Sequence, residues 1–298
     1  MMDDLFGGRH GRSTMIHSGG SLAVFPEKGT ILPASHLADL SDLWLRRFRP
    51  HPDPRVRLVC FPHAGGAATY YHALAQSPTL MPAAEVLAVQ YPGRQDRRKE
   101  QLMDSIPELA DRITASLTPY DDRPLALFGH SMGAVLAFEV ARRLQERVEN
   151  QPHRLFVSGR RAPSRLQGGT IHLLGDAELV DELRRIGGTD PRFLEDEELL
   201  AEIIPVVRND YQAVEEYRWS PSSPVKCPIT ALTGDRDAQS PLDDVAAWRQ
   251  HTDGPFDLKV FPGGHFYLDT HRQGVTDVVS EALAQITGEH EPVRGTAR

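Results

Sequence analysis

Two cysteines, Cys60 and Cys227, are all that 298 residues contain, and each lies inside an apolar segment. So few cannot build a disulfide framework or a cysteine metal site, which need several at set spacings; two buried, reduced thiols are expected. No run of about 18 apolar residues offers a membrane span. The start, MMDDLFGGRHGRST, is acidic and lacks the apolar stretch and small-residue cleavage site of a secretory signal, so a cytoplasmic location is expected. Lysine is scarce, four among 33 basic residues, and 41 acidic residues bring the formal charge to −8. That sign argues against a nucleic-acid partner, which would require a net basic footprint to displace counterions from phosphate. What remains, 40% hydrophobic and 25% charged, is ordinary globular composition in a chain long enough for one sizeable core; a single catalytic domain and a monomer are expected.

Residues 1–42, rich in Gly, Ser, His and Pro, show no sustained period and read as a disordered extension, and 288–298 as a flexible tail. Between them, 43–287 organises into a repeating pattern. RVRLVCF (55–61), EVLAVQY (85–91), PLALFGH (124–130), RLFVSG (154–159), PITALTG (228–234) and LKVFPGG (258–264) are short apolar runs, each ending at a turn. Helical segments separate them. SIPELADRITASL (105–117) opens with a Ser-x-x-Glu capping box, and VTDVVSEALAQI (275–286) sets Val275, Val278, Val279, Leu283 and Ile286 on one face. Continuous apolar strands alternating with helices predict an α/β fold, its mostly parallel sheet covered by helices on both faces. From about 176 to 219 two helical patterns follow each other with no strand between them. Such an insertion would lie over the carboxyl ends of the strands as a lid.

Gly129-His130-Ser131-Met132-Gly133 falls where an apolar strand gives way to an amphipathic helix. The five-residue pattern alone is weak, but strand before and helix after are the context of a nucleophile elbow. There the serine takes a strained turn, and glycine is needed two positions to either side because side chains would collide. A serine hydroxyl needs a base, and in this kind of fold acid and histidine follow the nucleophile after later strands. His265 follows LKVFPGG, and Asp235 and Asp237 both follow PITALTG; the spacing does not choose between the two acids. For the oxyanion, the turn His63-Ala64-Gly65-Gly66 after the first strand and the residue after Ser131 supply backbone N–H donors, assigned to Ala64 and Met132. His63 itself reads as a turn-stabilising side chain rather than a base.

FPHAGG (61–66), QYPGR (90–94), GHSMGA (129–134), SGRRAP (158–163), GDRD (234–237) and GGHF (263–266), in that order and with the helical insertion in place, resemble the type II thioesterases. These are the stand-alone editing enzymes of polyketide synthase and nonribosomal peptide synthetase pathways. The likeness runs from about residue 43 to 286. It implies an α/β-hydrolase fold with a helical lid, Asp237 as the acid, and no metal or organic cofactor. The substrate it implies is an acyl group stalled on the phosphopantetheine thiol of an acyl or peptidyl carrier protein. A small-molecule carboxylesterase or a fatty-acyl thioesterase would use the same residues; a noncatalytic carrier-binding protein of this fold would usually lack one of them. Carrier domains are usually acidic, as this chain is, so a basic docking patch is expected, with Arg94, Arg97, Arg98 and Lys99, or Arg160 and Arg161, as its candidates.

Overall fold

A computed structural model describes residues 41–80, 82–146, 151–188 and 191–288. The six apolar runs form β2 (Val56–Phe61), β3 (Ala84–Val89), β4 (Leu125–His130), β5 (Arg154–Ser158), β6 (Ile229–Gly234) and β7 (Phe256–Phe261). The pattern reading missed β1 (Leu45–Arg46), a two-residue edge strand antiparallel to β3 that is too short to show a period. The order across the sheet is β1-β3-β2-β4-β5-β6-β7, and every pairing except that of β1 is parallel. All residues of β2, β3, β4 and β6 are buried, as strands covered on both faces must be.

Alternate residues of each strand feed different halves of the core. Val59 and Phe61 join a cluster with α1 (Ile106–Ser116) and α2 (Met132–Gln145), whereas Leu58 and Cys60 join one with α5 (Arg272–Thr287). The N-terminus of α1 is closed by Ser105, whose Oγ accepts the N–H of Glu108. In α5, Val275, Val279 and Leu283 are buried, with Val278 and Ile286 packed beside them.

Between β5 and β6 lie α3 (Asp176–Ile186) and α4 (Glu197–Glu216), with a small apolar cluster of their own around Leu179, Leu183 and Val207. The carboxylate of Asp196 caps α4 through the N–H groups of Glu198 and Leu199. Pro205 interrupts α4, and the buried residues of that helix, Val207, Asp210, Ala213, Val214 and Glu215, all come after it.

From β2 the chain steps to β3 on one side, then returns to lay β4 on the other side of β2. Loops leaving β2 and β4 therefore diverge and open a crevice at the carboxyl ends of these strands, where open α/β sheets bind ligands. Of the expected terminal segments, 1–40 and 289–298 lie outside the described residues. Ser41 and Asp42 belong to the folded body: they begin a helical turn, and Ser41 Oγ donates to the Ser116 carbonyl at 2.7 Å.

Candidate active site

Ser131 lies at the carboxyl end of β4, between that strand and α2, with φ 55° and ψ −116°. A side chain in this left-handed conformation is strained, and the surrounding backbone enforces it. A Cβ on Gly129 would stand 2.0 Å from the Gly133 carbonyl oxygen, and one on Gly133 would stand 2.0 Å from that of Phe61. Only glycine at both positions lets β4 turn this sharply into α2 while α2 rests on β2. The turn is tied down by the Ser131 N–H, which donates to the Ser158 carbonyl at 2.8 Å.

His265, after β7, brings Nε2 to 3.0 Å from Ser131 Oγ, and its Nδ1 lies 2.8 Å from Asp237 Oδ2. A carboxylate only accepts, so the imidazole proton sits on Nδ1 and Nε2 is left to accept from the serine hydroxyl. The Asp237 side chain is wholly buried, and its Oδ1 accepts the Gln239 N–H. Asp235 does not reach the histidine. It is exposed and accepts the Gly263 N–H at 2.8 Å, tying the turn after β6 to the one that carries His265; that N–H bond and Arg236 hold its carboxyl below the usual range.

Two further imidazoles line this histidine. His130 is fully buried, its ring 5.0 Å from that of His265, with Nδ1 hydrogen-bonded to Ser158 Oγ and that hydroxyl to Tyr267. Burial, then the neighbouring His265 and His63, push its pKa well below the ordinary value. His63 packs edge-on against Tyr70 and Phe266, and burial, then His265 and Arg94, lower it to about 3. Both stay neutral at pH 7, so neither sets a competing cation beside His265. The sequence reading passed over His130, Ser158 and Tyr267; the histidine inside GHSMG was the available signal for the first.

The turn after β2 carries Ala64. Of its donors, the Gly66 N–H goes to the His63 carbonyl and the Gly65 N–H to Asp210 of α4. Met132 is the first residue of α2, where a helix leaves N–H groups without acceptors inside it, and it is buried next to Ser131. A cleft of about 840 Å³ opens between α4 and the loop after β3, walled by Gly65, Arg94, Leu102, Ile203 and Val206, with Arg98 and Lys99 at its edge. Across α4, a smaller cavity of about 300 Å³ adjoins Gln239 and Arg160.

The basic runs are not the open patches expected from sequence. Arg94 is buried and ion-paired to Asp210. Arg97 is 2% exposed, pairs with Glu100, donates to the Gln90 carbonyl and lies 4.4 Å over the Trp44 ring. Arg161 donates to the Gln239 carbonyl, and Arg160 faces inward toward Tyr211 and Glu215. Each run follows a strand that ends in the core, and Arg94, Arg97 and Arg161 turn back to carbonyls and carboxylates there. Only Arg98 and Lys99 remain exposed. Among the described residues no cluster of three or more His, Cys, Asp or Glu could hold a metal ion, and no helix is long and apolar enough to cross a membrane.

The sequence profile of the Thioesterase domain family matches residues 56–286. The chain belongs to the thioesterase family. It is 48% identical over 249 residues to the thioesterase PikA5 of Streptomyces venezuelae, a match covering 83% of this chain and 88% of that one. Among solved structures it is similar to the type II thioesterase BorB from the borrelidin biosynthetic cluster, with 50% identity, a TM-score of 0.75, and 81% and 98% of the two chains covered. YbtT, a type II thioesterase from the yersiniabactin NRPS/PKS biosynthetic pathway, matches at 31% identity and TM-score 0.71, over 79% of this chain and 96% of that one. This thioesterase is thus a serine hydrolase with the α/β-hydrolase fold, of the type II group associated with polyketide and nonribosomal peptide biosynthesis.

Proposed function

We propose that the thioesterase hydrolyses acyl groups stalled on the phosphopantetheine arm of acyl or peptidyl carrier proteins, with Ser131 as nucleophile, His265 as base and acid, and Asp237 as the orienting acid. The observation that carries this reading is the buried hydrogen-bonded series from Ser131 Oγ through His265 to Asp237. Ser131 Oγ attacks the thioester carbonyl carbon while its proton passes to Nε2. The N–H groups of Ala64 and Met132 receive the oxyanion. Collapse breaks the C–S bond, and the thiolate takes the proton from His265. Water repeats the sequence on the acyl-serine: its proton goes to His265, the C–O bond to Ser131 breaks, and Oγ recovers a proton as the free acid leaves. A thiol of pKa near 8.5 departs readily, so the demand on His265 as an acid is lower than in amide cleavage. No step calls for a metal or an organic cofactor.

The 840 Å³ cleft supports a long, thin substrate arm. Gly65 lines it beside the oxyanion turn, and Arg98 and Lys99 offer two exposed cations to the arm's phosphate and to an acidic carrier surface. The test compares kcat/KM for one acyl group presented on a carrier protein, on a small thiol and on an oxygen ester. The carrier thioester is expected to be preferred, with the doubly reversed variant Arg98→Glu/Lys99→Glu losing that preference in low salt and leaving the small thioester untouched. Equal rates on the oxygen ester would make the protein a carboxylesterase. Carrier binding without turnover would make it a noncatalytic binder.

A further inference from the structure

We propose that Asp210 is a positioning residue: carried on α4, its carboxylate holds the turn after β2 so that the oxyanion donors are aligned only while that helix is seated. The proposal rests on the assignment of Ser131, Ala64 and Met132 made above and adds a part to that machinery.

The contacts converge on one buried carboxylate, 1% exposed. Asp210 Oδ2 accepts the Gly65 N–H at 2.7 Å, and the same oxygen is ion-paired with Arg94. The Gly65 nitrogen closes the peptide unit that follows Ala64, so fixing its direction fixes the turn that presents the Ala64 N–H. Val207, one helical turn earlier, packs so close to Gly65 that its methyl lies 2.7 Å from where a Cβ would be. Arg94 is itself immobilised, donating to the Pro92 carbonyl at 2.6 Å and lying 5.2 Å over the Tyr91 ring, while the Tyr91 hydroxyl donates to the Pro62 carbonyl. The turn from Pro62 to Gly66 is therefore gripped from the sheet at one end and from the inserted helix at the other. Withdrawal of α4 would carry the carboxylate away with it, leaving the buried Arg94 without its counter-charge and the Gly65 N–H without its acceptor. Misplacement of catalytic donors by about 1 Å costs on the order of 10²-fold in rate.

A purely structural ion pair would affect melting temperature but not the chemistry of the folded enzyme, and the test separates the two. In the full-length protein, Asp210→Ala is expected to lower kcat on a small acyl thioester about 10- to 100-fold with KM nearly unchanged, and to weaken a trifluoromethyl ketone, whose Ser131 adduct carries the oxyanion, by a similar factor. Asp210→Asn keeps an acceptor for Gly65 but loses the charge facing Arg94, and should fall between wild type and the alanine variant. Asn209→Ala frees the same helix from the Met103 carbonyl without touching Gly65, and should leave kcat and ketone affinity close to wild type. Unchanged ketone affinity in Asp210→Ala would overturn the proposal, as would an equal loss in Asn209→Ala, which would mean that general seating of the helix is what matters. If Asp210→Ala does not fold, the ketone affinity of Asp210→Asn decides. A Ser131→Ala variant run alongside keeps the failures apart: residual turnover there would remove the site assignment itself.

Discussion

Ser131 holds a backbone conformation that non-glycine residues avoid, and the two flanking glycines make it possible by letting three backbone segments touch. Its replacement by alanine is expected to leave melting temperature nearly unchanged and reduce turnover by on the order of 10⁶; substantial residual activity would remove it as the nucleophile. Gly133→Ala is expected to be far more damaging to the fold than to any single contact. Its Cβ would meet the backbone of Phe61, an overpacking cost of about 3 kcal/mol or more, and the variant should melt well below wild type. Between the two acids, Asp237→Asn should lose about 10⁴ in kcat through the wrong imidazole tautomer, whereas Asp235→Asn should only loosen the tie to Gly263 and lower thermal stability. Comparable kinetic losses from both would reverse that choice. Ser131 and His265 were legible because each follows a strand in a fixed order. Spacing could not separate Asp235 from Asp237, since two acids in one turn differ only in which way the chain points them, and that is set by the Gly263 contact.

Helix α4 is two segments joined at Pro205. The carbonyl one turn before the proline has no N–H to receive, and none of the helical residues ahead of it is fully buried, while those after it are locked by Val207, Asp210 and Ala213. Amide hydrogen exchange should accordingly be faster across 197–204 than across 208–216; uniform protection along the helix would contradict this division. Periodicity showed the long elements, because a buried strand or an amphipathic helix repeats its apolar residues often enough to be seen. It could not show β1, whose two residues hold no period, nor the inward course of Arg94 and Arg97, which depends on carboxylates and carbonyls supplied by distant segments.

At the scale of the molecule, three buried imidazoles make stability depend on pH. His63 and His251 have folded pKa values lowered to about 3 and about 4, chiefly by burial, and burial likewise pushes His130 well below the ordinary imidazole value. The unfolded chain, with these groups near 6.5, binds more protons below that pH, so stability falls as pH drops from 6.5 toward 4 and is flat above 6.5 with respect to them; each group contributes up to about 1.4 kcal/mol per pH unit. Melting temperature should therefore decline steeply between pH 6.5 and 5, and a flat profile would show that these imidazoles are already protonated in the fold. Removal of residues 2–40 should change neither melting temperature nor rate, because the packed chain is anchored from Ser41 and Trp44 onward; a large drop in either would mean that the segment packs. Last, every turnover of a thioesterase liberates a sulfhydryl within reach of the protein. Cys60 is fully buried with its thiol held protonated by desolvation, and Cys227 is nearly so, pushed up to about 12. Should that product be oxidised to its disulfide, neither protein sulfur presents an accessible thiolate to attack it, so the enzyme resists being trapped as a mixed disulfide with its own product.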